Sequence, residues 1–218
     1  MEKGISLYPG LGMKREELLH RVEAAAAKGL DRIFLSLHIP ETDGDQFESD
    51  LSALLDEAQA HGLAVVGDLV PGRKIPDALT HLRLDDGFTA DDICAFGKRH
   101  PQKTLILNAS TVTEPFLQSL LAAGVDLSRV EALHNFYPRP HTGLSADFLA
   151  RQNACCHHYG IRTGAFVRSF GHCRGPLFKG LPTLERHRTL DFSLALQHLR
   201  LLGTDAFYIG DDGAAEEE

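Results

Sequence analysis

Tryptophan is absent from the 218 residues, methionine occurs twice and cysteine only four times. Cys94, Cys155, Cys156 and Cys173 show no Cys-x-x-Cys spacing and two of them are adjacent, so neither a disulfide framework nor a zinc site is indicated, and they read as buried or incidental thiols. Long apolar runs are also lacking. Stretches such as 33–37 and 104–107 fall far short of the ~20 residues that span a bilayer, and the N-terminus carries no apolar signal segment. No membrane association is expected, and the protein reads as cytoplasmic. Basic residues are in the minority, 22 Lys and Arg against 30 Asp and Glu, giving a formal charge of −8. They are also scattered, which argues against nucleic acid as a partner, because a phosphate backbone is met by clustered Lys and Arg. An anionic small molecule stays open, since a few local arginines bind one on an acidic protein.

What is present is ordinary for a globular chain, 43% hydrophobic and 24% charged. Apolar strand-like stretches alternate with helical ones. Residues 4–8 read as a strand stopped by Pro9-Gly10, 14–28 as a helix ended by Gly29, and 31–37 as a strand buried on both faces. A helix over 45–61, a strand over 63–66 and a short strand over 82–84 follow. Between those two strands, 69–79 carries two prolines and a glycine, and a loop or single turn is expected there instead of a crossover helix. A helix over 89–99 with Thr89 as N-cap, a strand over 103–107, a helix over 113–123 and a strand over 130–133 come next. The chain then reads as helix 145–158, strand 161–167, a long loop 168–182, one helix over 183–202 and a last strand over 206–209. Eight strands alternating with helices predict parallel pairing with right-handed crossovers and a compact α/β, TIM-type (β/α)8 barrel over residues 1–213, followed by the acidic tail 214–218. The helix between strands three and four and the helix after strand eight are expected to be short or missing. An open doubly wound sheet is less attractive because no Gly-x-Gly-x-x-Gly follows the first strand.

A barrel of this kind does its chemistry at the carboxyl ends of its strands. There the sequence places Tyr8, His38, Glu41, Asp68, Asp85, Asp86, Asn108, the run His134-Asn135-Phe136-Tyr137-Pro138-Arg139, then Arg174, Asp211 and Asp212. Any one of these could be turn or cap chemistry, but nearly every strand supplies some. Carboxylates converging from several strands provide the two groups that glycoside hydrolysis needs, and Asp68, Asp85, Asp86 and Asp211 are the candidates. The same carboxylates with His38 or His134 could hold a divalent metal. No His-x-His or His-Glu-x-x-His spacing supports that, so no metal is expected. Arg139, confined between two prolines, and Arg174, in a glycine-bearing loop, suit an anion. His134 reads equally as a structural or a catalytic histidine, whereas His157, His158, His187 and His198 fall on predicted helices and read as exposed. Phe136 and Tyr137 offer flat surfaces for a sugar ring, or a lid for the barrel.

Six blocks give these residues a context: 4–8, 36–41, 82–88, 107–111, the run His134 to Ser145, and the run Arg174 to Glu185. Taken in order along nearly the whole chain, they resemble the MupG-type 6-phospho-N-acetylmuramidases. The resemblance implies a barrel glycosidase of cell-wall recycling that cleaves N-acetylmuramic acid 6-phosphate from N-acetylglucosamine without a cofactor. Tyr8, His38, Glu41, Asn108, His134, Asn135, Tyr137, Arg139 and Arg174 would hold the substrate. Members of that family usually carry a longer segment between strands three and four and a cyclophilin-like second domain, which this chain is expected to lack. Strand surface left bare by missing helices would then be covered by another copy of the chain or by an absent segment. Two other readings stand beside the glycosidase: a phosphosugar isomerase or epimerase on a similar barrel, and a non-catalytic sugar-phosphate binder.

Overall fold

The computed structural model describes residues 1–11, 13–37, 44–69, 75–84 and 87–215, with backbone only for 44–46. Its eight strands are β1 (Glu2–Leu7), β2 (Arg32–Ser36), β3 (Ala64–Leu69), β4 (His81–Leu84), β5 (Thr104–Asn108), β6 (Val130–Leu133), β7 (Arg162–Val167) and β8 (Ala206–Ile209). Every neighbour pairs in parallel, and β8 pairs with β1, so the sheet closes into a barrel in chain order. This is the TIM-type α/β barrel that the alternation predicts. Helices α1 (Arg15–Ala27), α2 (Gly44–Ala60), α3 (Ala90–Arg99), α4 (Glu114–Ala122), α5 (Ala146–His158) and α6 (Phe192–Leu201) pack outside it. Among the described residues, no helix lies between β3 and β4 and none follows β8.

The helix starts follow from their caps. Thr89 accepts from the Asp92 N–H while the Asp92 carboxylate accepts from the Thr89 N–H, closing a capping box, and Ser145 accepts from the Phe148 N–H. One expectation is corrected. Residues 183–202 do not form one helix: a 3-10 turn at Glu185–Arg188 precedes α6, which starts only after Asp191. Asp191 accepts from the Ser193 and Leu194 N–H groups, and Arg188 is drawn inward onto loop carbonyls, so a continuous helix would forfeit both sets of bonds.

The period of two along each strand splits the core into two layers. Outward residues such as Leu82, Leu84, Leu105 and Leu107 pack under the helices. Inward ones (Phe34, Val66, Ile106, Leu133, Phe166, Ala206 and Tyr208) fill the barrel. Phe166 meets Phe34 edge-on at 5.2 Å and Phe136 edge-on at 5.1 Å, so Phe136 caps this plug from above. Gly4 lies under the Tyr208 ring, where any Cβ would collide with it.

The amino end of the barrel is closed by charge. Arg32 forks onto Glu131, with Nη1 and Nη2 at 2.5 and 3.0 Å from the carboxylate, and also meets Glu2. Arg162 meets Glu2 at 2.9 Å, and the Tyr208 hydroxyl lies 3.5 Å from Arg32. On the flank, α1, β1 and β8 border a groove of about 620 Å³. Ile5, Phe207 and Ile209 lie along it, with Lys3, Arg21 and Lys28 among its lining residues.

Candidate functional site

The carboxyl ends of the strands carry the polar residues, but they are not equivalent. β3 runs further than expected, so Asp68 sits within it, paired in register with Ser36 of β2 and Arg83 of β4. Asp68 is buried and accepts from the Leu37 N–H at 2.5 Å and the Ser36 hydroxyl at 3.1 Å. Arg83 is buried too, and its Nη2 donates to Asn135 Oδ1. Arg83 is the site residue that reading strand ends overlooks. Its signal was Leu82-Arg83-Leu84, where alternation turns the middle residue into the barrel.

Asn135 is fixed by its main chain, which donates to Ser110 Oγ at 2.9 Å and accepts from Thr183 Oγ1 at 2.9 Å. His134 is fully buried beneath it, with Nδ1 3.3 Å from Ser110 Oγ and Nε2 3.1 Å from Asn153 Oδ1. Burial, assisted by the charge of Arg83 and opposed by the Asn153 bond, lowers the His134 pKa to about 4. It is a neutral linker at neutral pH. Asn108 turns its carboxamide back onto the Ser110 N–H at 3.0 Å and lines a side cleft between α3 and α4.

On the opposite side, Tyr8 is buried and donates its hydroxyl to the Gly210 carbonyl at 2.5 Å. Burial holds this phenol well above its usual range. The Arg174 guanidinium stacks on its ring at 3.9 Å, and Arg174 Nε is buried without a hydrogen-bond partner. Asp211 has no exposed surface and accepts from the N–H groups of Ser169, Arg174 and Leu181. Burial pushes its carboxyl up while these bonds pull it down, so its oxygens brace the loop that carries Arg174. Burial likewise raises the Asp212 carboxyl, against the charges of Arg174 and Arg21. Asp212 faces an open depression of about 440 Å³ shared with Arg21, Phe170, His172 and Phe178.

Tyr137 is half-buried and Arg139 exposed; both are held by the main chain. Arg188, buried, donates to the carbonyls of Tyr137, Arg139, Lys179 and Gly180 and forks onto Glu185 at 2.8 and 2.9 Å. Glu185 also accepts from the Gly143 N–H, and chiefly because of Arg188 its pKa falls to about 2. The run His134 to Pro140 and the run Arg174 to Leu181 are thus tied to one guanidinium. His38, Glu41, Asp85 and Asp86 lie outside the described residues. His187 corrects an expectation: it is buried, not exposed, with Nε2 2.9 Å from His198 Nδ1, and desolvation lowers its pKa to about 4. Among the described residues, no group of three or more His, Cys, Asp or Glu is placed to hold a metal ion, all four cysteines are free, and no helix is long and apolar enough to cross a membrane.

Known proteins place this barrel. A crystal structure of an uncharacterized B. cereus protein superposes with a TM-score of 0.85 at 28% identity, covering 99% of this chain and 62% of that one. A conserved Enterococcus faecalis protein of unknown function gives 0.84 at 32% identity, covering 99% and 63%. The chain therefore spans less than two thirds of the length of these relatives. The DAHP synthase of Thermotoga maritima, at 13% identity and a TM-score of 0.61, shares the fold alone. No curated protein matches the chain. Residues 3–218 match the family described as 6-phospho-N-acetylmuramidase, N-terminal, and the chain belongs to that family.

Proposed function

We propose that this chain is the barrel of a glycoside hydrolase that releases N-acetylmuramic acid 6-phosphate from N-acetylglucosamine, in the recycling of peptidoglycan. The observation that carries this reading is family membership over residues 3–218. The mouth adds chemistry that suits it. Hydrolysis of a glycoside takes one carboxyl protonated and one ionised. Asp212, whose carboxyl burial raises, suits the acid, and Asp68, accepting one N–H and one O–H, suits the ionised partner. Asp85 and Asp86 stay candidates for either role. Arg174 on Tyr8 offers a fixed cation for the anionic substrate, and Phe136 and Tyr137 offer ring surfaces. No cofactor enters this scheme, and the small-molecule ligand is the phosphosugar.

Incubation with the 6-phosphorylated disaccharide should release both sugars, and Asp68→Asn should lower kcat by at least about 100-fold while substrate still binds. No release by the wild-type protein at high concentration would remove the reading. Coverage of less than two thirds of its relatives favours a second one, a sugar-phosphate binding module that needs the remaining part of such proteins for turnover. Binding without hydrolysis, converted to hydrolysis when that part of a longer relative is added, would decide for it.

A further inference from the structure

Two non-glycine residues among those described have positive φ, His141 at 67° and Phe178 at 51°. A bulky side chain is strained in that region. At His141 the bend brings the main chain onto the Glu185 carboxylate. At Phe178 it closes a turn, in which the Phe178 N–H donates to the Arg174 carbonyl at 3.2 Å. Glycine would close the same turn without strain, so the turn does not account for the ring. Nor does packing in the core. Phe178 is 66% exposed, and its ring leans over Gly175, where an added Cβ would come within 3.2 Å of Cζ. An aromatic side chain held in a strained conformation and left in solvent points to a ligand.

The ring borders the open depression of about 440 Å³ that Asp212 faces. Arg21 and His172 line it as well, and Arg21 Nη1 is buried without a hydrogen-bond partner. An aromatic face beside hydrogen-bonding groups suits a pyranose, whose C–H groups pack on the ring while its hydroxyls meet the polar atoms. A purely apolar partner would leave those polar atoms unpaired. The turn also separates two kinds of contact. Arg174, at its start, lays its guanidinium on the buried Tyr8 ring, whereas Phe178, at its end, stands in solvent.

We propose that Phe178 is the stacking platform for the uncharged sugar of the substrate, the N-acetylglucosamine that leaves, with Arg21 and His172 beside it. This deepens the hydrolase reading and rests on it: a general acid protonates the leaving oxygen, so the depression that Asp212 faces is the leaving sugar's side.

NMR titration with two probes, N-acetylglucosamine and N-acetylmuramic acid 6-phosphate, tests this. Phe178→Gly should weaken N-acetylglucosamine by roughly 5- to 10-fold and leave the 6-phosphorylated sugar unchanged. Its thermal midpoint should be held or raised, because glycine relieves the backbone, whereas loss of a merely structural ring would lower it. Phe178→Tyr keeps the aromatic face and should keep the affinity. Equal loss on both sugars, loss on neither, a lowered midpoint in Phe178→Gly, or failure of the wild-type protein to bind N-acetylglucosamine overturns the proposal. These titrations need no turnover, so a protein that binds N-acetylglucosamine through Phe178 yet hydrolyses nothing removes the hydrolase reading and leaves the platform standing.

Discussion

The two ends of the barrel hold their charged groups differently. At the amino end, Arg32, Glu131, Glu2 and Arg162 satisfy one another, with the Tyr208 hydroxyl alongside, and the chain closes on itself. At the carboxyl end, neutral groups take part: the Asn135 amide accepts from Arg83, the Tyr8 ring lies under Arg174, and Asp68 accepts from a hydroxyl and a main-chain N–H. Ions that hold each other build an end that stays shut. A neutral group orients an ion without cancelling its charge, a condition for binding and catalysis.

Removing a charge at the closed end should cost the most stability. Arg32→Ala leaves Glu131 and Glu2 sharing Arg162 as their remaining ion-pair partner among the described residues, and breaking a buried pair costs about 3–5 kcal/mol. For a chain of this length the thermal midpoint should fall by on the order of 10 °C. Affinity for a sugar phosphate in the remaining folded protein should be unchanged, and a parallel loss of affinity would break the distinction between the two ends. Next in size is acidification. His134, His187 and His81 each have native pKa values lowered by burial to about 4 from 6.5. The unfolded chain takes up these protons below pH 6.5 and the native state only near pH 4, so stability is full above 6.5 and falls through that window. For His134 alone the loss approaches about 3 kcal/mol. Urea midpoints measured from pH 7.5 to 4.5 should decline, and His134→Gln should flatten part of the slope. A midpoint flat between pH 7 and 5 would contradict the buried, neutral state assigned to these rings. Smallest is Arg139→Ala: its side chain is exposed and its carbonyl does the holding, so the change in stability should stay within about 0.5 kcal/mol by denaturant titration.

The fold was largely legible because each strand and most helices announce themselves locally. Thr89 and Ser145 begin helices where an N-cap belongs, and the sequence between β3 and β4 carries prolines and a glycine that disfavour a full helix. The helix expected over 183–202 failed partly for a reason outside its own residues: besides the Asp191 cap, Arg188 is claimed by carbonyls of the loops at Tyr137 and Gly180. The same limit governs the site. Ser110, His134 and Asn153 lie far apart along the chain, and only closure of the barrel brings them into one relay. Arg83 could have been read from Leu82-Arg83-Leu84 by taking alternation as seriously in a short strand as in a long one. His187 was misplaced because a polar ring on a helical stretch suggests solvent, whereas its contact with His198 takes it inside.

The clamp formed by Arg188 and Glu185 has one more consequence. It grips the loops by four carbonyl oxygens, which every amino acid supplies alike, and by one backbone N–H, which every residue but proline supplies. The course of both loops is therefore indifferent to which side chains they carry at Tyr137, Arg139 and Lys179. These positions form a mount that accepts interchangeable side chains, so substitutions there should leave the course of both loops unchanged.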